Sequence, residues 1–391
     1  MVVWAKLDCN TLSKRGGGLV KTDFIDVQIP EPGQWQQVSP GILWLRMPLP
    51  FELDHINLYL IEDYDSATQT EGYALIDTGI GVPKTQQIWD SLLTKLGKPL
   101  TKVIVTHMHP DHIGMAGYLV DKYRVPFYMS HSEYFVARAL CAGGRGASDW
   151  QDDEYLVRCG MPEDYVSNAS ENRKKSKGLG QVILPIPLQH ERLQEGDIIK
   201  IGMSDSVIKD AKDTTATTNT NDQWQVMIGR GHSPEHVCLY NHHTKVLISG
   251  DHVLPVITPN IGVYSTEPNA NALKMYLDTL PQFKNLPEDT LVLPSHKQPF
   301  IGLHSRVDTL IAHHHKHLES LKGFCKEGKT IKQCLPVLFK RELNEHNMFF
   351  AIAEAFSHLN YLYFEKILTR DINDKGQYIF TLNNNFLAAA F

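Results

Sequence analysis

No two cysteines in this chain are spaced as Cys-x-x-Cys, and no apolar run approaches the ~20 residues that a membrane-spanning helix needs. The six cysteines (Cys9, Cys141, Cys159, Cys238, Cys325, Cys334) are scattered, which excludes a disulfide framework and reads as free thiols in a reducing compartment. An excess of positive charge is lacking too. The net charge of −6 argues against a protein whose main work is holding nucleic acid, though not against a local basic face. The start, Met1-Val2-Val3-Trp4-Ala5-Lys6, has no basic stretch followed by a long apolar core, so it does not read as a signal peptide, and the cytoplasm is the expected compartment. What remains is ordinary for a globular protein, 42% hydrophobic and 21% charged. At 391 residues the chain exceeds one average domain, and one large domain with a smaller one is expected.

The densest chemistry lies in Thr106-His107-Met108-His109-Pro110-Asp111-His112. It follows the apolar run 100–105, where Val103, Ile104 and Val105 in succession read as a buried strand. Two-residue spacing in extended chain points the imidazoles of His107 and His109 the same way. Pro110 keeps His109 out of helical dihedrals and is suited to a first helical turn. Asp111 and His112 then fall where a helix begins, continuing over 113–123. Imidazoles with a carboxylate suit zinc, with iron or manganese as the other choices.

Three later stations repeat the pattern of a metal-type ligand just after an apolar strand: Gly231-His232-Ser233-Pro234-Glu235-His236, Ser249-Gly250-Asp251-His252 and Leu293-Pro294-Ser295-His296. Singly, such a histidine is more often hydrogen-bonded than ligating; in this order, the set carries a resemblance. His107-x-His109-x-Asp111-His112 resembles the H-x-H-x-D-H signature of the metallo-β-lactamase-fold hydrolases, the later stations resemble that superfamily's G-H-[ST]-P, G-D and P-x-H, and Asp77 resembles its strand-end aspartate. The resemblance runs over about residues 42–300. It implies an α/β fold, the four-layer αββα sandwich, with two divalent ions at one edge. One ion would take His107, His109 and His232, the other Asp111, His112 and His296, and Asp251 would bridge them. Asp77, His236 and Thr106 would hold ligand tautomers and orientation. A hydroxide between the ions would attack, and Asp111 would pass a proton to the leaving group. His55, at the start of a strand, is a candidate for contact with substrate at the mouth.

Along the chain, 1–40 reads as loop, broken by Gly16-Gly17-Gly18 and Pro30-Glu31-Pro32-Gly33. Strands are expected at 42–47, 56–61 and 73–76, and a helix from 83 to 96 stopped by Gly97. The catalytic domain is expected over 1–302, with a polar, mostly helical insert over about 130–190. Within it, Arg173-Lys174-Lys175-Ser176-Lys177 reads as a solvated loop or a rim for an acidic substrate. Thr214-Thr215-Ala216-Thr217-Thr218-Asn219-Thr220-Asn221 reads as an exposed loop. Residues 303–391 should form a second, mainly helical unit: a helix over 305–322, one capped by Thr330 and one over 348–364, then a hairpin around Asp374-Lys375-Gly376. Helices followed by a β wing resemble the winged-helix-like C-terminal domain of some members of the superfamily, here expected to serve packing or as a lid. His313, His314, His315 and His317 are expected on a solvated helical face, since consecutive helical residues point in different directions.

The bridging aspartate resembles the glyoxalase-type and lactonase-type hydrolases, whereas β-lactamases of this fold usually lack it. His109 stands where flavodiiron oxidoreductases carry a carboxylate, and no flavodoxin-like domain follows. The leading expectation is a dinuclear hydrolase, zinc as isolated, acting on a thioester, lactone or similar carboxylic ester. A phosphodiesterase or ribonuclease draws support from the basic run and the C-terminal domain alone. A mononuclear iron persulfide dioxygenase shares the opening signature, and a binding protein without turnover is disfavoured by the complete ligand set. The expected partners are a small-molecule substrate and at most a second copy of the chain as a homodimer, with no membrane and no nucleic acid.

Overall fold

The computed structural model describes residues 22–51, 53–142, 150–175, 178–203 and 222–383. The Gly16-Gly17-Gly18 breaker and the 214–221 insert lie outside these residues. The chain enters through β1 (Asp23–Phe24) and β2 (Trp35–Ser39), both inside the stretch expected to be loop. β3 (Ile42–Pro48), β4 (His55–Asp65) and β5 (Thr70–Ile76) form an antiparallel meander. After α1 (Pro83–Leu96), closed by a left-handed Gly97, β6 (Leu100–Ile104) lies parallel to β5.

The helix expected over 113–123 is instead two, α2 (Pro110–Ile113) and α3 (Ala116–Tyr123). The backbone of Gly79 and Gly81 presses on Gly114 where any side chain would stand, and the helical dihedrals lapse at Met115. β7 (Phe127–Ser130) follows, then the helical insert with α4 (His131–Cys141), α5 (Trp150–Arg158) and α6 (Glu163–Lys175). The described part of the basic run is not a loop, for Arg173, Lys174 and Lys175 form the last turn of α6. Helix is favoured there because Arg173 finds Asp152 and Asp153 on the neighbouring α5. β8 (Glu191–Leu193) completes a seven-stranded sheet in the order β2-β3-β4-β5-β6-β7-β8.

A second seven-stranded sheet uses β9 (Ile198–Lys200), β10 (Gln223–Gly229), β11 (His236–Asn241) and β12 (Val246–Gly250). After α7 (Ala272–Thr279) it is finished by β13 (Leu291–Pro294) and β14 (Phe300–Ile301), in the order β1-β14-β13-β12-β11-β10-β9. The period-two alternation of side chains divides each strand between two cores. Trp44, Tyr59, Ile61, Ala74 and Ile76 face inward against Trp224, Val226, Leu239 and Ile248 of the other sheet. Leu45, Leu58, Leu60 and Leu75 face outward, under Trp89 of α1 and Leu119 of α3. The second sheet turns Cys238, Tyr240, Leu247 and Val292 out to α7 and the C-terminal helices. Because both faces are covered, these strands are buried throughout. The result is the αββα sandwich.

The C-terminal part is α8 (Leu303–Phe324), α9 (Ile331–Leu338), α10 (Glu345–Phe364) and a hairpin of β15 (Leu368–Ile372) and β16 (Tyr378–Leu382). Thr330 caps α9 in a reciprocal capping box with Gln333. One expectation fails here. Of the four histidines assigned to a solvated face of α8, only His315 is exposed; His314 is buried, and His313 and His317 are half-buried. His314 shares the i, i+4 line of Leu310 and Leu318, and α8 is covered on more than one side because it packs on both α9 and α10. Among the described residues, no helix is long and apolar enough to cross a membrane.

Candidate metal centre

Five strand ends open onto one edge of the sandwich: β5 runs into Asp77, β6 into Thr106 and the His107 to His112 segment, β10 into His232, β12 into Asp251 and β13 into His296. Backbone hydrogen bonds clamp that edge across the two sheets, from Val237 N–H to Thr106 O (2.8 Å) and from Asn57 N–H to Ser295 O (2.7 Å). His109 is extended (φ −66°, ψ 147°) and Pro110 starts α2, so the chain turns sharply between His109 and Asp111 as the proline required.

The expected ligands form two groups of donor atoms, each within 4.8 Å: His107, His109, His232 and Asp251, and beside them Asp111, His112 and His296. His107 Nε2 is 2.7 Å from His109 Nδ1 and 3.3 Å from His232 Nε2. The Asp251 carboxylate faces both groups, 3.5 Å from His232 Nε2, 3.7 Å from His112 Nε2 and 3.3 Å from His296 Nε2. Asp111 stands 3.6 Å from His112 Nε2 and 3.5 Å from His296 Nε2. Apart from the 2.7 Å between His107 and His109, these gaps are long for hydrogen bonds but match donors sharing an ion, which sit ~3.3 Å apart when each bond is ~2.0 Å and the geometry tetrahedral. Among the described residues, both oxygens of the fully buried Asp251 and Nε2 of His112 have no hydrogen-bond partner. Polar atoms so buried are ordinarily satisfied, and the donor set fits a divalent metal.

The far nitrogen of each of His107, His112, His232 and His296 is engaged by oxygen, which turns the near lone pair toward the centre. His112 Nδ1–H donates to Asp77 (2.8 Å), His232 Nδ1–H to Asn260 O (2.8 Å) and His296 Nδ1–H to His55 O (2.9 Å). Thr106 Oγ1 lies 3.0 Å from His107 Nδ1 and donates to Asp77 (2.9 Å), whose other oxygen accepts from Thr106 N–H. Asp77 itself sits in the left-handed region at φ 59°, backbone strain of the kind found where a side chain must be aimed. His236 Nε2 accepts from the Asp251 N–H (3.0 Å), which fixes the loop that presents the carboxylate. Asp77, Thr106 and His236 thus stand where they would orient ligands.

The electrostatics favour cations. Burial opposes charge on Asp251, yet His296 and His112 hold its carboxyl well below the usual range. Burial would push His112 down, but Asp77, Asp111 and Asp251 around it outweigh that and raise it well above an ordinary histidine. Burial and neighbouring imidazoles push His107 and His109 far down, leaving neutral rings with lone pairs to offer.

His55, the residue expected to contact substrate, is tied into the edge of the site by its own contacts. Its Nδ1 lies 2.5 Å from Asp54 and its Nε2 accepts from Lys297 N–H (3.2 Å), so its evident service to the site is the carbonyl that holds His296. Two supporting residues had no sequence signal. Buried Glu133 of α4 accepts from Met108 N–H (3.0 Å) and Glu235 N–H (2.7 Å), joining two ligand loops. Asn260 accepts from His232 through its carbonyl and donates through its amide to Glu354 of α10 (3.1 Å). Both act through contacts remote in sequence and belong to no motif.

Two sheets with metal-type ligands gathered at one edge define a metallo-β-lactamase fold. The chain belongs to the metallo-beta-lactamase superfamily, whose model matches residues 52–296, and the metallo-beta-lactamase-like C-terminal domain matches residues 318–383. A solved beta-lactamase domain protein from Burkholderia ambifaria is 34% identical, over 92% of this chain and 98% of that one, with a TM-score of 0.81. The "Probable metallo-hydrolase YqjP" of Bacillus subtilis (strain 168) is 20% identical over 352 residues, 85% of this chain and 95% of that protein. A metallo-beta-lactamase family protein from Thermus thermophilus is similar in fold, with a TM-score of 0.69 at 23% identity over 88% of this chain and all of that one (100%). The class is a metallo-hydrolase of this superfamily.

Proposed function

We propose that this metallo-hydrolase cleaves an activated carboxylic ester, a thioester or a lactone, at a centre for two divalent ions, zinc in the first instance. The observation that carries the reading is Asp251, whose buried carboxylate faces His232 on one side and His112 and His296 on the other. His107, His109 and His232 would hold one ion, Asp111, His112 and His296 the second, and Asp251 would be shared. Bound there, the ions would supply an acidified water as nucleophile and draw charge from the substrate's carbonyl oxygen. Asp111 is 14% exposed while the neighbouring His112 is fully closed off, so Asp111 is the carboxyl within reach of a departing group that needs a proton. Cysteine chemistry draws no support: Cys238 is buried in β11, donates to Ser249 O (3.4 Å), and burial pushes its thiol far up.

Substrate class turns on the leaving group. Tyr264, stacked on Phe349 (centroids 5.5 Å), donates to Asn260 (3.0 Å), the residue that holds His232 from the side away from the centre. A thiolate or tethered alkoxide leaves without a strong acid, whereas phosphodiesters leave as poorer alkoxides and call for further cations. Two cations of the basic run are already paired, Arg173 with Asp152 and Asp153 and Lys175 with Glu171.

The test is a panel of thioesters, lactones and phosphodiesters, with metal analysis and the His107→Ala variant as control. Metal-dependent cleavage of a thioester or lactone, lost in the variant, is expected. Phosphodiester cleavage without ester cleavage would transfer the protein to the nuclease reading. One iron per chain at full occupancy would favour the dioxygenase.

A further inference from the structure

The half-buried histidines of α8 face a buried carboxylate and a buried histidine of α10. His317 comes from α8, Glu354 and His358 from α10, and one donor atom of each lies within 4.8 Å of the others. Glu354 and His358 are spaced i, i+4, which sets both on one helical face, the spacing by which pairs of ligands on a helix hold zinc. Glu354 is 1% exposed and His358 0%.

Hydrogen bonding leaves this group unfinished. Among the described residues, Glu354 Oε1, His317 Nδ1, His313 Nε2 and His314 Nε2 are buried atoms without a partner. Buried polar atoms are rarely unsatisfied, and four around one contact between two helices are not needed for packing, which leucine or methionine would serve without orphaned donors. The atoms that do have partners are arranged as they are around the main centre. His358 Nδ1–H donates to Glu354 O (2.8 Å), which leaves its Nε2 as an acceptor facing inward; there it takes His314 Nδ1–H (3.1 Å), a bond that an ion at Nε2 would replace. Glu354 Oε2 accepts from Asn260 (3.1 Å), which leaves Oε1 as the open oxygen.

We propose that His317, Glu354 and His358 bind a divalent transition ion of the zinc class, at a site separate from the main centre, that ties α8 to α10. Two imidazoles and a carboxylate are an accepted zinc set, with the fourth position left for water. His317 is half-buried, which gives an ion a way in from solvent. The cation also accounts for Glu354, a buried carboxylate whose hydrogen-bond donor is the neutral amide of Asn260. An ion here would further steady Asn260, which reaches from Glu354 to the main-centre histidine His232.

The test uses the full chain equilibrated with zinc and desalted, with zinc counted per chain. Wild type should retain one equivalent more than His317→Ala and one more than Glu354→Gln. The same difference should persist when each is placed in a His107→Ala background, which separates this site from the main one. Circular dichroism verifies the fold; His317→Ala, at the more exposed corner, serves if Glu354→Gln does not fold. Thermal melts give a second readout: in the His107→Ala background the midpoint should still rise with zinc, and that rise should be smaller once His317→Ala is added. Equal zinc content in wild type and folded His317→Ala, with no difference in the zinc-dependent shift, overturns the proposal.

Discussion

Asp251 is fully buried, accepts no hydrogen bond among the described residues, and has imidazole nitrogens 3.3, 3.5 and 3.7 Å from its oxygens. In an apolar setting an isolated carboxylate would neutralise itself, but the histidines hold this one ionised. The side chain is therefore committed to positive neighbours on both sides. Asp251→Ala removes the anion shared between the two ligand groups, and the cations that would meet there lose their screening. The expected outcome is loss of one of the two metal equivalents at the main centre and a fall in turnover of more than ~100-fold, larger than the loss usual for a group that merely orients a ligand. Metal analysis alongside the ester assay checks it. A variant that keeps its full metal content and near-normal rate would show that Asp251 is not shared.

At the scale of elements, what was legible in the sequence is what the chain carries locally. His107, His109, Asp111 and His112 are contiguous, and their convergence needs only a strand end, an extended His109 and Pro110 at the first turn of α2, all present. Continuous apolar runs likewise announced strands covered on both faces. Glu133 and Asn260 were illegible because their contacts cross 102 and 28 residues of sequence and use backbone groups that no motif encodes. The α8 histidines were misread for a related reason: a single apolar stripe predicts one buried face, whereas α8 contacts both α9 and α10. Gly250 shows how tightly an element end can be set. It ends β12 at φ 52°, and a Cβ there would run into the His236 ring, which accepts from Asp251 N–H. Gly250→Ala combines a left-handed penalty with that clash, so it should cost about 2 kcal/mol or more and displace Asp251. Chemical denaturation and metal content should fall together; unchanged metal binding at lowered stability would mean that the loop absorbs the clash without moving its carboxylate.

The whole molecule adds two expectations. Tyr240, Leu247, Val292 and Phe300 of the second sheet share one core with Val307, Leu310, Leu335 and Phe356 of the C-terminal helices. A chain ending before Leu303 would bare that sheet face, and it should be insoluble or, if recovered, poor in metal, because Asn260 loses Glu354 as a partner. A soluble, fully metallated fragment would show that the helices are dispensable.

The second expectation concerns acid in the presence of chelator. Burial pushes His252 to about 3, His313 to about 2, His317 to about 4 and His358 to about 3, all from an ordinary 6.5. Between those values and 6.5 the unfolded chain binds more protons than the folded one, so stability is fully present above 6.5 and is lost as pH falls through the window. Each fully buried histidine contributes up to about 1.4 kcal/mol per pH unit, and the half-buried His313 and His317 less. Glu354 opposes them. Burial raises it from 4.5 to about 8, so its contribution is full below 4.5 and is lost as pH rises through 8. From 4.5 to 6.5 four groups outweigh one; above 6.5 Glu354 acts alone among these five. Melts of the chelated protein from pH 4.5 to 9 should therefore show a maximum near pH 6.5–7, a steep acid limb and a shallow alkaline one. His358→Gln should flatten the acid limb and Glu354→Gln the alkaline one. An acid limb equally steep in wild type and His358→Gln would place the buried protons elsewhere.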